Sequence, residues 1–211
     1  MRRVCLYAFC MWLAALSPAF ASIIVNWLDE PITLFSGGMW STQVPLDIDG
    51  SGVYDYVFGS DDSFLGLRSE GQNRYVIAPS PPPNIGGPIE PLYPDYEIGM
   101  SLADGLMWFG ADHNHFSTLG VWLSSGSSGN FRGHHAYMGI EFIIDGNIHY
   151  GWINLLVAED FAYGEIHGWA YASTSGMPII AGAIPEPSTL VLLLAGGLGL
   201  LSFNRHSRNV R

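Results

Sequence analysis

Lysine is absent from this 211-residue chain, and five of its eight arginines lie within the first three or the last seven residues. Between residues 22 and 184, only three arginines accompany 18 aspartate and glutamate residues. Such an acidic surface repels phosphate backbones, so nucleic acid is not an expected partner. The charged fraction is only 13%, whereas 48% of the residues are apolar or aromatic. This composition argues against a disordered chain and supports one domain with a substantial core.

Cysteine occurs only as Cys5 and Cys10, and both lie in a segment with the features of a secretory signal. Residues 1–21 have two arginines directly after Met1, continue with an apolar run over 4–16 and end in Ala19-Phe20-Ala21. We therefore predict a signal peptide over 1–21, with a buried first helix as the alternative. The mature protein then has no disulfide, thiolate metal site or cysteine nucleophile.

The last 27 residues have three parts: Pro185-Glu186-Pro187, an apolar run over 190–203, and a basic tail that contains Arg205, Arg208 and Arg211. As a helix the apolar run is about 21 Å long, shorter than the ~30 Å hydrocarbon core of a bilayer. Three glycines within it lower its helix propensity further. We predict a short transmembrane helix over 190–203 that is held briefly and then removed. The basic tail would stay in the cytoplasm, and a simple tail anchor is the alternative.

This ending resembles the PEP-CTERM sorting signal of exported proteins of Gram-negative bacteria. The resemblance implies that Pro185, Glu186 and Pro187 are recognised by an exosortase, a membrane-embedded processing enzyme similar to cysteine proteases. It also implies transient residence in the inner membrane, followed by location at the cell surface or in an exopolysaccharide or biofilm matrix. The family has no shared catalytic site that could be carried over to this chain.

The region between the terminal signals, residues 22–184, is predicted to be a single all-β ectodomain with a β-sandwich or jelly-roll-like fold. Short β-prone runs separated by turn residues recur along it, and no long window has helical periodicity. The runs are 23–27, 32–35, 53–58, 74–78, 96–100, 106–109, 118–123, 136–144, 148–157, 165–172 and 177–180. Residues 79–94 hold seven of the 13 prolines, which predicts a long surface loop with polyproline character.

Two registers are open for the hairpin centred on Asp145-Gly146. A two-residue loop pairs Ile144 with Asn147, whereas a three-residue loop pairs Ile144 with Ile148. The second register places nearly all the large apolar residues on one face, so we expect burial to select it.

A calcium-binding loop is the main candidate metal site, with the ligands Asp47, Asp49, Ser51, the carbonyl of Val53, and Asp55. Alternate oxygen ligands and a glycine at the sixth position match the spacing of EF-hand loops, although the glutamate at position 12 and the flanking helices are missing. A solvated turn without metal is the alternative interpretation. Ca²⁺ is the only cofactor that the sequence suggests.

No catalytic arrangement is recognisable, because the chain has neither a nucleophile elbow nor a phosphate-binding glycine loop. We therefore expect a non-enzymatic protein. The alternatives are a calcium-dependent carbohydrate-binding module and, less favoured, a secreted glycan-active enzyme. For carbohydrate binding, Trp169 and Tyr171 are the expected exposed rings, on one face of a strand with Glu165 and His167.

Overall fold

A computed structural model describes residues 22–35, 42–61, 64–79, 87–111, 117–123, 126–160 and 163–185. The signal peptide, Glu186, Pro187, the 190–203 helix and the basic tail are predictions that lie outside these ranges. No helix among the described residues is long and apolar enough to cross a membrane.

Thirteen strands are found in the described ranges, and all their pairings are antiparallel. A six-stranded sheet has the order β1-β12-β11-β10-β5-β7, and a five-stranded sheet has the order β2-β3-β4-β8-β9. Strands β13 and β6 form a small third sheet. The strands are β1 (Ile23–Phe35), β2 (Thr42–Leu46), β3 (Tyr56–Asp61), β4 (Phe64–Ser69), β5 (Arg74–Ile77), β6 (Glu97–Ile98), β7 (Met107–Gly110), β8 (Ser117–Leu123), β9 (Gly126–Ser128), β10 (His135–Ile144), β11 (Asn147–Val157), β12 (Tyr163–Ala172) and β13 (Ile179–Ile180).

The two large sheets share one apolar core. Phe58 and Leu67 of the five-stranded sheet belong to the same buried cluster as Ile140 and Ile153 of the six-stranded sheet. Tyr56 is fully buried, and its hydroxyl crosses between the sheets to the carbonyl oxygens of Glu141 and Arg74, at 2.9 and 3.0 Å. The fold is therefore all-β and sandwich-like, as the sequence predicts.

The outer face of the six-stranded sheet carries a second buried cluster, which includes Tyr150 and Trp152. The described half of the proline-rich segment packs on this sheet rather than standing away from it. Ile89 is buried in the core between the two large sheets, whereas Leu92 is buried in the second cluster. Leu92 also exchanges backbone hydrogen bonds with Tyr137 at 2.8 and 2.9 Å. Isolated bridges pair Ile89 with Ile77 and Leu92 with Tyr137, so this part of the segment extends the backbone pairing of the sheet and contributes to both apolar clusters.

The β10–β11 hairpin has the two-residue register, so our choice between the two was wrong. Ile144 pairs with Asn147, and both residues of the turn, Asp145 and Gly146, have positive φ angles of 51° and 77°. This is the turn that Asp-Gly favours in hairpins. Burial did not select the register because β10 contributes to apolar clusters on both faces of the sheet.

Candidate functional site

The connection between β2 and β3 is the candidate metal site, and it closes on itself through backbone hydrogen bonds. The amide of Asp55 donates to the carbonyl of Leu46 at 2.9 Å, which brings the two ends of the loop together. Gly50 and Gly52 have φ angles of +76° and +85°, which residues with a Cβ rarely adopt. The tight path directs the aspartate side chains of the loop toward its centre.

Asp47 accepts three hydrogen bonds from the backbone of its own loop. The amides of Gly50 and Ser51 donate to its Oδ1 at 2.8 and 3.2 Å, and the amide of Gly52 donates to its Oδ2 at 2.7 Å. Partial burial raises the pKa of Asp47, but these amide donors outweigh it and hold the pKa below 3.8. A carboxylate has about four acceptor positions, so Asp47 retains capacity for a cation.

Asp55 is the buried carboxylate of the loop, with 8% of its surface exposed. Its Oδ2 accepts the amide of Ile48 at 2.8 Å, and its Oδ1 accepts the side-chain amide of Asn73 at 2.9 Å. Burial raises the pKa of Asp55 to about 6; the Ile48 amide opposes this rise and the nearby charge of Asp49 adds to it. A cation in the loop would favour the ionised form of this carboxyl.

Three of the expected ligands converge. Carboxylate oxygens of Asp47, Asp49 and Asp55 all lie within 4.8 Å of one another. The hydroxyl oxygen of Ser51 accepts a hydrogen bond from the amide of Val53 at 3.3 Å. Val53 itself is 70% exposed, so its side chain lies outside the core. Several hard oxygen ligands at this separation suit Ca²⁺.

Asn73 was not predicted as part of the site, yet it connects the loop to the rest of the molecule. Its Nδ2 donates to Asp55, and its Oδ1 accepts the amide of Ile143 in β10 at 3.1 Å. The residue lies 18 positions after Asp55 in a separate turn, and no local sequence pattern links the two.

The prediction that the rings of Trp169 and Tyr171 are exposed is wrong. Tyr171 is only 6% exposed, and Trp169 packs against the main core while its Nε1 donates to the carbonyl of Ile48 at 3.0 Å. A β-bulge is the cause: Leu155 pairs with Ile166 and the preceding Asn154 pairs with Gly168, which leaves His167 as an extra residue. Trp169 is thereby shifted to the core face, away from Glu165 and His167.

Pro185 is exposed at the end of the last described range, three residues beyond Gly182. The other sorting residues lie beyond that range. Comparison of the chain with protein-family models, with curated proteins and with solved structures finds no match.

Proposed function

We propose that this chain is a non-enzymatic exported protein of the cell surface or extracellular matrix. An N-terminal signal peptide delivers it to the inner membrane, and the 190–203 helix holds it there. An exosortase-type enzyme then processes it at Pro185-Glu186-Pro187, after which the ectodomain associates with exopolysaccharide or biofilm. The observation that supports this proposal is the order of the sequence features: a signal-like segment at each end, on either side of an all-β region.

The acidic, cysteine-free composition of the ectodomain agrees with this role. An exported domain without disulfides depends on its core for stability, and this one buries apolar residues on both faces of its larger sheet. The exposed position of Pro185 leaves the start of the sorting motif accessible to an enzyme.

Replacing Pro185, Glu186 and Pro187 together with alanine should abolish processing in the native host. The unchanged protein should be released without its tail, and the triple variant should retain residues 190–211 and stay with the membrane fraction. Mass spectrometry of both chain ends in each fraction measures this.

The matched control is the triple alanine variant of Pro81, Pro82 and Pro83, which makes the same number of substitutions in the proline-rich segment. It should be processed normally. If release and tail mass were unchanged in the sorting-motif variant, the proposed processing would be refuted.

We propose as a second function that the β2–β3 loop binds Ca²⁺ and stabilises the ectodomain. The convergence of the Asp47, Asp49 and Asp55 carboxylates favours it over a solvated turn. Because three carboxylates repel one another, a divalent cation bound among them would relieve an electrostatic cost.

About 10 mM Ca²⁺ should raise the free energy of unfolding by about 1.4–2.7 kcal/mol, if the loop has the 10⁻⁴–10⁻³ M dissociation constant of extracellular calcium sites. Thermal unfolding with Ca²⁺ and with a chelator measures the increase. Asp47→Asn should remove most of it.

Asp145→Asn is the control, because Asp145 is also an exposed aspartate in a turn and asparagine tolerates its positive φ. Its response to Ca²⁺ should match that of the unchanged protein. Equal stabilisation of the Asp47→Asn variant would place any bound ion elsewhere.

A further inference from the structure

A groove lies beside the β2–β3 loop, on the outer side of the five-stranded sheet. Its volume is about 710 Å³, within the range of small-ligand sites. Pro45, Val57 and Arg68 form one cross-strand row of its floor, because Pro45 pairs with Val57 and Val57 pairs with Arg68. Gln43 of the edge strand also lines it.

Two apolar side chains at the rim of this groove are exposed to solvent. Val53 is 70% exposed and Tyr54 is 55% exposed, although both lie in a loop whose next residue, Asp55, is buried. The loop therefore presents an aromatic ring and an aliphatic side chain outward while it is anchored from beneath. Exposed apolar groups next to a concave, partly polar surface are typical of binding sites.

The polar groups of the groove are balanced in charge. Arg68 and Glu70 form an ion pair at 2.9 Å, and their side chains are 30% and 39% exposed. A guanidinium next to a carboxylate offers both donors and acceptors, and the amide of Gln43 adds one more group of each kind. Neighbouring hydroxyl groups on a ligand both donate and accept hydrogen bonds, so they are complementary to this combination of donors and acceptors. The groove has no net positive charge and lies in a strongly acidic domain, so we do not expect it to bind a polyanion.

We propose that this groove binds a neutral saccharide. The ring of Tyr54 stacks on the apolar face of a sugar, and the Arg68–Glu70 pair and Gln43 hydrogen-bond its hydroxyls. The inference extends the proposed matrix role by naming a ligand class, and its site differs from the Trp169–Tyr171 surface expected from the sequence. The β2–β3 loop contributes to saccharide binding by holding Val53 and Tyr54 in place.

Affinity electrophoresis of the full chain in a sugar-free non-ionic detergent tests this proposal. The gels contain soluble neutral glucans and mannans, with polygalacturonate as the anionic comparison. The unchanged protein should be retarded by at least one neutral polysaccharide and not by polygalacturonate. Tyr54→Ala should weaken that binding roughly tenfold, the effect of losing a central aromatic contact.

Tyr93→Ala is the matched control, since Tyr93 is 56% exposed and does not line this groove. It should bind as the unchanged protein does. Arg68→Gln is a second groove variant that should also bind more weakly. Its fold should persist, because partly exposed ion pairs contribute little to stability. Melting temperatures close to that of the unchanged protein verify the fold of each variant.

The inference is overturned if no neutral polysaccharide retards the protein, if the Tyr54→Ala variant is retarded as strongly as the unchanged protein, or if polygalacturonate binds best. None of these results bears on processing at Pro185-Glu186-Pro187, which is measured separately. Repeating the gels with a chelator separates the two sites. Weaker binding without Ca²⁺ supports the role of the loop in positioning Tyr54, and unchanged binding removes that role while leaving the groove.

Discussion

Arg74→Ala should lower the free energy of unfolding by about 2–3 kcal/mol, the cost of leaving the buried Glu141 carboxylate without its partner, whose own side chain is 36% exposed. Glu141 is 3% exposed, and its Oε1 accepts a hydrogen bond from Arg74 Nε at 2.6 Å. The two residues face each other across β5 and β10. Without the guanidinium, the Glu141 carboxylate would remain buried with its charge uncompensated. Chemical denaturation at neutral pH measures the loss.

The control for this prediction is Arg132→Ala. Arg132 also pairs with a glutamate, Glu159, but at 3.8 Å and with side chains that are 44% and 83% exposed. Its removal should change stability by less than about 1 kcal/mol. The double variant Arg74→Leu with Glu141→Leu should recover much of the loss, because buried ion pairs exchange for apolar residues at little cost. Equal destabilisation by Arg74→Ala and Arg132→Ala would show that burial of the pair is unimportant.

The all-β class could be predicted because it depends on local patterns that recur along the chain. Alternating apolar residues and turn residues mark β10, β11 and β12 directly. Strands β2, β4 and β9 were not predicted. β9 reads as a Ser-Gly loop in sequence, and β2 contains a proline. That proline is tolerated because β2 is an edge strand of its sheet.

The errors in register and in exposure have different causes. The register error arose because the sequence does not show how many faces of a strand are buried. We assumed a single buried face for β10 and β11, whereas apolar segments cover both. With both faces buried, the turn chemistry of Asp145-Gly146 decides the register. For β12, a one-residue bulge at His167 exchanges the two faces, and a periodic pattern cannot reveal it.

More of the β2–β3 loop could be predicted from the sequence than of the residues that support it. Its spacing predicts the convergence of Asp47, Asp49 and Asp55, because alternate residues of a tight loop point to one centre. The support for Asp55 comes instead from Asn73, and the support for the loop backbone comes from Trp169. Both contacts depend on how distant strands pack, so they required the fold.

Asp55 should make the stability of the calcium-free protein fall as pH rises. Its pKa is about 6 in the folded protein, mainly because of burial, and 3.8 is its ordinary value. The folded state therefore binds the proton more tightly, and the stability from this proton is fully present below pH 3.8 and is lost as pH rises through 6. The loss amounts to about 2 kcal/mol between pH 4 and pH 7.5, at 1.36 kcal/mol for each pKa unit. Urea denaturation in a chelator at several pH values measures it.

The Asp55→Asn variant isolates this effect, because asparagine keeps an oxygen for the Ile48 amide but does not titrate. The stability of the unchanged protein minus that of the variant should decrease by about 2 kcal/mol from pH 4 to pH 7.5. Asp47 is present in both proteins, and its lowered pKa gives a stability contribution of opposite sign that is lost as pH falls, so it does not produce a decrease with rising pH. A flat difference for Asp55→Asn would mean that Asp55 ionises in the folded loop as easily as in water, and that burial imposes no cost on its charge.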